Sequence, residues 1–227
     1  PSLPSLLEDI NQMDGDFLVW LGMMNPATLA PDIHGVARAL TGDHLFRFVH
    51  LPVQSGSDAI LSRMNRGYTA ARFLDLVAVL RSTVPGISIG TDIITGFPGE
   101  TEEDFRQTCD LLTRVRPDML HVTRYSYRPG SPISRDDELV DRVCKERSRA
   151  LIRAGYAILK EKKQQMVGEC GEVVITEQVR PGTVMGRTWS YQGVVISGDL
   201  PAGGRYRVRY TGERTHYLTG IIISPIS

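Results

Sequence analysis

From residue 17 to about residue 127, short apolar runs rich in β-branched residues alternate with segments whose apolar positions recur three and four apart. The runs at 17–23, 46–53, 87–94 and 119–125 predict four strands, and segments at about 31–41, 58–64, 69–83 and 101–115 predict the helices between them. Strands alternating with helices of this length pair in parallel through right-handed crossovers, so this part of the chain predicts an incomplete parallel α/β layer. The helix at 101–115 has a marked start: Thr101-Glu102-Glu103-Asp104 has the form of a capping box, with Thr101 as N-cap and an acidic first turn that suits the helix dipole.

The period changes twice further on. Over about 138–165, Val140, Val143, Leu151, Ala154 and Ile158 form one apolar stripe between charged faces, which predicts a long helix leading outward from the sheet unit. Beyond Gly168 apolar residues alternate instead, in runs at 173–179, 183–189, 193–196, 205–210 and 216–223 separated by Pro181-Gly182, Gly198-Asp199 and Gly203-Gly204. Five short strands in so few residues predict a small closed barrel of the oligonucleotide-binding kind. The predicted organisation is an α/β unit over 1–135, a linking helix over 136–167 and an all-β barrel over 168–227.

Composition narrows the chemistry mainly by exclusion. Lys plus Arg and Asp plus Glu each total 26, so no global charge draws the chain to nucleic acid, membrane or acidic ligands, and any basic surface must be local. No run nears the roughly 18 apolar residues that a membrane span needs, and the start of the chain lacks the order of a signal peptide; a cytoplasmic protein is expected. Cys109, Cys144 and Cys170 fit no zinc or iron–sulfur spacing and read as small hydrophobes, while His34, His44, His50, His121 and His216 are scattered. No metal site is predicted from this chain's own residues.

Ligands of parallel α/β barrels sit at the carboxyl ends of the strands, where strand-to-helix loops converge. The predicted strands exit into Met24-Asn25-Pro26, Gln54-Ser55-Gly56-Ser57, Thr95-Gly96-Phe97-Pro98-Gly99-Glu100 and Ser126-Tyr127-Arg128-Pro129-Gly130, which puts four unusual stretches on one rim. Gln54 and Ser55 offer hydrogen bonds to a polar ligand while Gly56 lets the backbone approach it closely. Alternatively Ser57 or Asp58 caps the next helix and Gly56 is a turn, which is the favoured role for Ser57 and Asp58. Asp92 interrupts an apolar strand, and its carboxylate needs donors, from a ligand hydroxyl or from a neighbouring strand or loop.

The stretches PVQSGSDAILSRMNRGYT, TDIITGFPGETEEDF and YSYRPGSP, in this order and spacing, resemble the radical S-adenosylmethionine methylthiotransferases, and the likeness covers essentially the whole chain. The last module is similar to that family's RNA-binding TRAM domain. The resemblance implies the C-terminal part of a partial TIM-like radical SAM barrel followed by an OB-like TRAM barrel. It implies an enzyme that methylthiolates C2 of a hypermodified adenosine beside the tRNA anticodon, using S-adenosylmethionine and two 4Fe-4S clusters. Family members hold the clusters through a three-cysteine domain and a Cys-x-x-x-Cys-x-x-Cys loop, neither of which occurs here. The chain is therefore expected to be the C-terminal part of such an enzyme, inactive alone and normally joined to N-terminal domains. Gly22-Met23-Met24-Asn25-Pro26 looks like the archaeal and eukaryotic group that acts on N6-threonylcarbamoyladenosine, with the isopentenyladenosine branch as the alternative. By likeness and strand-end position, Asn25, Gln54, Ser55, Asp92 and Gly96 are expected around S-adenosylmethionine, and Tyr125 and Arg128 nearer the RNA or the auxiliary cluster. An RNA-binding module without catalysis is a further alternative.

Arg205-Tyr206-Arg207-Val208-Arg209-Tyr210 alternates strictly, so Arg205, Arg207 and Arg209 share one face of a strand and the other three residues the opposite face. With Arg187 on another strand, they are expected to meet phosphates and unpaired bases of a tRNA anticodon stem-loop. An ordinary solvated face is the alternative, since Glu169, Glu172, Glu177, Asp199 and Glu213 share the module. A parallel sheet without its first strands exposes an edge, which predicts edge-paired dimers.

Overall fold

The computed structural model describes residues 2–127 and 139–226, so Arg128 and the acidic run after Pro132 lie outside the described residues. Three strands, β1 (Phe48–His50), β2 (Ser88–Thr95) and β3 (Met119–Arg124), form a parallel sheet in that order. Around it lie α1 (Leu3–Asn11), α2 (Pro26–Leu29), α3 (Ile33–Ala39), α4 (Asp58–Arg63), α5 (Ala70–Thr83) and α6 (Glu102–Val115). The strand expected at 17–23 is reduced to two isolated bridges, Val19 to Leu45 and Met23 to His50. It is the outer segment of the sheet among the described residues, and its Trp20 stacks on Phe48 of β1 and on Tyr191, 6.2 and 5.6 Å between centroids.

Alternation along the strands sorts their side chains. Val49, Ile89, Ile93 and Leu120 join Phe73, Leu76, Leu80 and Leu112 in the main core under the helices. The register pairs His50 with Gly90 and Asp92 with His121, which leaves these polar groups together on the opposite face.

Helix α6 starts at the expected capping box. The Thr101 hydroxyl and N–H donate to the Asp104 carboxylate at 2.6 and 2.9 Å, and the Asp104 N–H donates back to the Thr101 hydroxyl at 3.2 Å. Ser57, itself the N-cap of α4, also donates to Asp104 at 2.5 Å. Burial pushes the Asp104 carboxyl up, but the bonds from Ser57 and Thr101 more than offset this and hold it below its ordinary value. Its contribution to stability is therefore present above the unfolded pKa, near 4, and lost as pH falls through the lower folded pKa. Asp104→Ala is expected to lower stability by about 2 kcal/mol at neutral pH. Urea midpoints of variant and wild type should converge on acidification below about pH 4.

The long helix α7 (Asp141–Met166) packs on β3 and leads to the second unit. There β4 (Cys170–Arg180), β5 (Thr183–Thr188), β6 (Gly193–Ser197), β7 (Arg205–Glu213) and β8 (Tyr217–Pro225) close a barrel in the order β4-β5-β6-β8-β7. Only the β6–β8 pair is parallel. Val173, Ile175, Val184, Val194, Ile196, Val208 and Leu218 fill it.

The β5–β6 turn plugs the barrel into the amino-terminal end of the sheet. The Arg47 N–H donates to the Trp189 carbonyl at 2.7 Å, and the Gln192 amide donates to the Ser88 hydroxyl at 2.9 Å. Between these bonds the Tyr191 ring packs on Phe46 and Phe48, 4.9 and 5.5 Å between centroids.

Candidate functional site

The polar stretch after β1 has two jobs, divided between its residues. Ser55 is fully buried, and its hydroxyl lies 3.3 Å from that of Thr108 on α6 and accepts the Ser57 N–H at 3.2 Å. The Gly56 N–H donates to the Thr108 hydroxyl at 2.9 Å. A Cβ at Gly56 would lie 2.5 Å from the Gln107 carbonyl oxygen and from the Thr108 Cα. The close approach that requires glycine here is therefore that of α6. Ser55 and Gly56 hold the helix, Ser57 caps α4, and the Asp58 carboxylate accepts the Ala70 N–H at the start of α5.

Gln54 is the exception. Its φ of 71° lies in the left-handed region, sparsely populated by residues with a Cβ, yet its backbone is pinned on both sides to β2: its N–H donates to the Asp92 carbonyl and its own carbonyl accepts the Ile94 N–H, both at 2.9 Å. The pinned residue sits over a concavity of about 390 Å³ lined by His50, Gln54, Asp92, Ile93, Ile94, His121 and Thr123. The donor that Asp92 needs is His50, whose Nε2 lies 2.8 Å from the carboxylate. The His121 ring stands 5.9 Å from that of His50.

A second cavity, of about 740 Å³, adjoins the first at Thr123 and is lined by Gly96, Tyr125, Tyr127 and Cys144 among others. The Tyr125 ring packs edge-on to Phe97 at 5.2 Å. Gly96 has φ +71°, and a Cβ there would meet the Cys144 Sγ of α7 at 2.3 Å, so this glycine too answers to a helix. Its N–H donates to Glu100 at 2.9 Å; Glu100 in turn is gripped by Arg147 of α7 at 2.7 Å. Asn25 lies at the same end, following the bridge from Met23 to His50, but its side chain caps α2 by accepting the Ala27 N–H at 2.8 Å. The fold thus brings Gln54 and Asp92 into one concavity and Gly96 and Tyr125 into its neighbour, keeps Asn25 beside them as a cap, and buries Ser55 elsewhere. His50 and His121, scattered in sequence, join the site because parallel register sets them against Asp92; their spacing gave no local signal.

The arginines of the barrel separate in a similar way. Val208 and Tyr210 point inward, while Arg207 and Arg209 are exposed. Arg205 contacts Asp16 and lies over the Trp189 ring at 5.6 Å, so it ties the barrel to the sheet unit. Arg187 lies over the Tyr191 ring at 4.7 Å. All four belong to the unit docked at the amino ends of the sheet, away from the rim.

Iron–sulfur clusters need converging thiolates. Cys109 lies on α6, Cys144 on α7 and Cys170 at the start of β4, and burial pushes the thiols of the first two up, so the cysteines do not fit a cluster. Among the described residues no group of His, Cys, Asp and Glu is arranged to hold a metal ion, and no helix is long and apolar enough to cross a membrane. The concavity at Asp92 does fit part of a hydroxyl-bearing ligand, since a fixed carboxylate accepts hydroxyl hydrogens and Gln54 supplies both a donor and an acceptor.

The Radical SAM superfamily profile matches residues 28–112. A "Probable threonylcarbamoyladenosine tRNA methylthiotransferase" of Methanothermobacter thermautotrophicus is 40% identical over 216 residues, 95% of this chain and 51% of that protein. A "tRNA-2-methylthio-N(6)-dimethylallyladenosine synthase" of Pelotomaculum thermopropionicum is 36% identical over 222 residues, 96% of this chain and 49% of that protein. Among solved structures, the Escherichia coli coproporphyrinogen III oxidase HemN, a radical SAM enzyme, matches with a TM-score of 0.52 at 17% identity over 98% of this chain and 55% of its own, a likeness of fold. The chain spans about half the length of the curated relatives it matches. It is thus a relative of the tRNA methylthiotransferases of the Radical SAM superfamily.

Proposed function

We propose that this chain is the part of a tRNA methylthiotransferase that completes the S-adenosylmethionine pocket and grips the RNA. The observation that carries the proposal is the His50–Asp92–Gln54 concavity at the carboxyl ends of the sheet, inside or bordering the segment that matches the Radical SAM profile. Asp92, held by His50, accepts the cofactor's ribose hydroxyls; Gln54 orients a polar end; Ile93 and Ile94 exclude water. Bound S-adenosylmethionine supplies one-electron chemistry and the methyl group. The clusters would be held by other parts of the enzyme. The substrate is an adenosine of the anticodon loop, and the threonylcarbamoyl form is preferred because, among relatives matched over 95% or more of this chain, identity reaches 40% to one so named against 37% to a dimethylallyladenosine synthase, while the 42% identity to another such synthase spans only 78% of the chain.

Mass spectrometry of tRNA nucleosides tests this reading. A strain carrying Asp92→Asn in the intact gene should lose most of the 2-methylthio mark and accumulate its threonylcarbamoyladenosine precursor. An unchanged mark removes Asp92 from the site, and accumulation of isopentenyladenosine instead reassigns the substrate.

The closed barrel has the strand order and the single parallel pair that support an OB-type, TRAM-like module. Exposed Arg207 and Arg209 on its outer face are suited to phosphates. Each lost phosphate contact should reduce the slope of log affinity against log salt by roughly one unit, so Arg207→Ala titrated with an anticodon stem-loop at several salt concentrations should show that change. An identical slope leaves β7 as plain surface.

A further inference from the structure

A cavity of about 470 Å³ lies beside the edge strand β3, walled by α7 on one side and the barrel on the other. Its volume falls within the roughly 300–1,000 Å³ of small-molecule sites. It is distinct from the outer face of Arg207 and Arg209, neither of which lines it.

The lysine in its wall is the unusual feature. Lys163, in the last turn of α7, is only 3% exposed as a residue, and what stays accessible is its ammonium, which opens on the cavity with no hydrogen bond or ion pair among the described residues. Burial lowers its pKa, which the charge of Asp118 opposes and that of Lys162 reinforces. Asp118 is otherwise engaged: its carboxylate pairs with Lys162 and accepts the Ile89 N–H at 2.9 Å. An ammonium that opens on a cavity while the neighbouring Asp118 carboxylate is committed elsewhere suits an anion. Arg187, also in the wall, adds a second cation.

Aromatic rings and a strand edge form part of the remaining wall, beside apolar Leu120, Ile152 and Leu159. Tyr156 and His216 meet edge to face, 5.3 Å between centroids, and Tyr191 lies opposite under Arg187. Residues 118–123 line the cavity consecutively, so the β3 edge that faces away from β2 presents backbone donors and acceptors there. Cation, stacking surface and backbone edge together match the phosphate, ring and polar rim of a nucleotide.

We propose that this junction cavity takes one nucleotide, with its phosphate on the Lys163 ammonium and its base against the Tyr156–His216 rings. The proposal rests on the RNA reading only for its source, which is either a free mononucleotide or one residue of an RNA strand. Isothermal titration with 5′-AMP, inorganic phosphate and a short oligoadenylate distinguishes these. Wild type is compared with Lys163→Met, which removes a buried charge and keeps the bulk, and with His216→Ala, which alters an exposed side chain.

Binding of AMP, weakened about tenfold or more by Lys163→Met and less by His216→Ala, supports a mononucleotide site. Binding of oligoadenylate alone with the same variant pattern assigns the site to an RNA residue. Affinity for phosphate equal to that for AMP overturns the nucleotide assignment, as does binding that neither variant changes, or none to any of the three. Arg207→Ala should leave AMP affinity unchanged, so loss of the outer-face RNA contacts and loss of this site are separately visible.

Discussion

Arg147→Ala is expected to destabilise the chain by about 3–5 kcal/mol, because it strands a carboxylate that the fold has buried. The Glu100 side chain is 1% exposed and that of Arg147 is 8% exposed. One Arg147 Nη reaches the Glu100 carbonyl and carboxylate at 2.9 and 2.7 Å, the other reaches Glu102 at 3.1 Å, and the guanidinium lies over the Phe105 ring. Glu100 Oε1 and Arg147 Nε have no hydrogen-bond partner among the described residues. A loss of this size in a chain of this length lowers the melting temperature by roughly 6–20 °C.

The pH dependence of that loss has a definite sign. Burial already pushes the Glu100 carboxyl up, against the bonds from Gly96 and Arg147, and removing the guanidinium raises it further. A carboxyl whose folded pKa exceeds its unfolded value binds more protons folded than unfolded, so stability is lost as pH rises from the unfolded value, near 4, through the folded one. The variant should therefore recover part of its deficit as pH is lowered from about 8 to about 5. Combining Glu100→Gln with Arg147→Met should also recover much of it, since neither charge then stays buried. Equal melting curves for Arg147→Ala and wild type would show that the ion pair does not hold α7 to the rim.

Gly56→Ala is expected to cost about 3 kcal/mol or more, the upper range for overpacking. The new methyl would press on Gln107 and Thr108 backbone atoms at 2.5 Å, and α6 cannot retreat without breaking the bonds of Thr108 to Gly56 and Ser55 and of Asp104 to Ser57. Gly22→Ala, where a Cβ meets nothing within 4 Å, is the control and should stay within about 0.5 kcal/mol of wild type. Urea unfolding midpoints of the two variants make the comparison. A mild Gly56→Ala would mean that α6 slides easily, and the explanation for the glycine would then return to a ligand.

The local elements were legible in the sequence because each arises from a period or a backbone preference confined to a few neighbouring residues. The alternation of 205–210 puts Val208 and Tyr210 inside the barrel and Arg207 and Arg209 outside; the 3.6-residue stripes place α5, α6 and α7; Thr101 and Asp104 close their capping box. Strand-end logic likewise located Gln54 and Asp92 at one mouth, because parallel pairing forces all strand exits to the same side. The helix α1 was not expected, although Ser2 and Ser5 form its capping box and Leu3, Leu6, Leu7 and Ile10 recur at helical spacing.

What only the tertiary structure decided is which distant segment each unusual residue faces. Gly56 yields to α6 and Gly96 to Cys144 of α7, although both sit in loops that in sequence are equally suited to a ligand. The run at 17–23 has strand-like periodicity but too few partners to form a strand. The barrel docks by Tyr191 on Phe46 and Phe48 at the amino ends of the sheet, setting Arg207 and Arg209 apart from the Asp92 concavity and placing Lys163 between the units. These outcomes depend on contacts between residues far apart along the chain, whose close approach is set by packing and leaves no periodic trace in either segment.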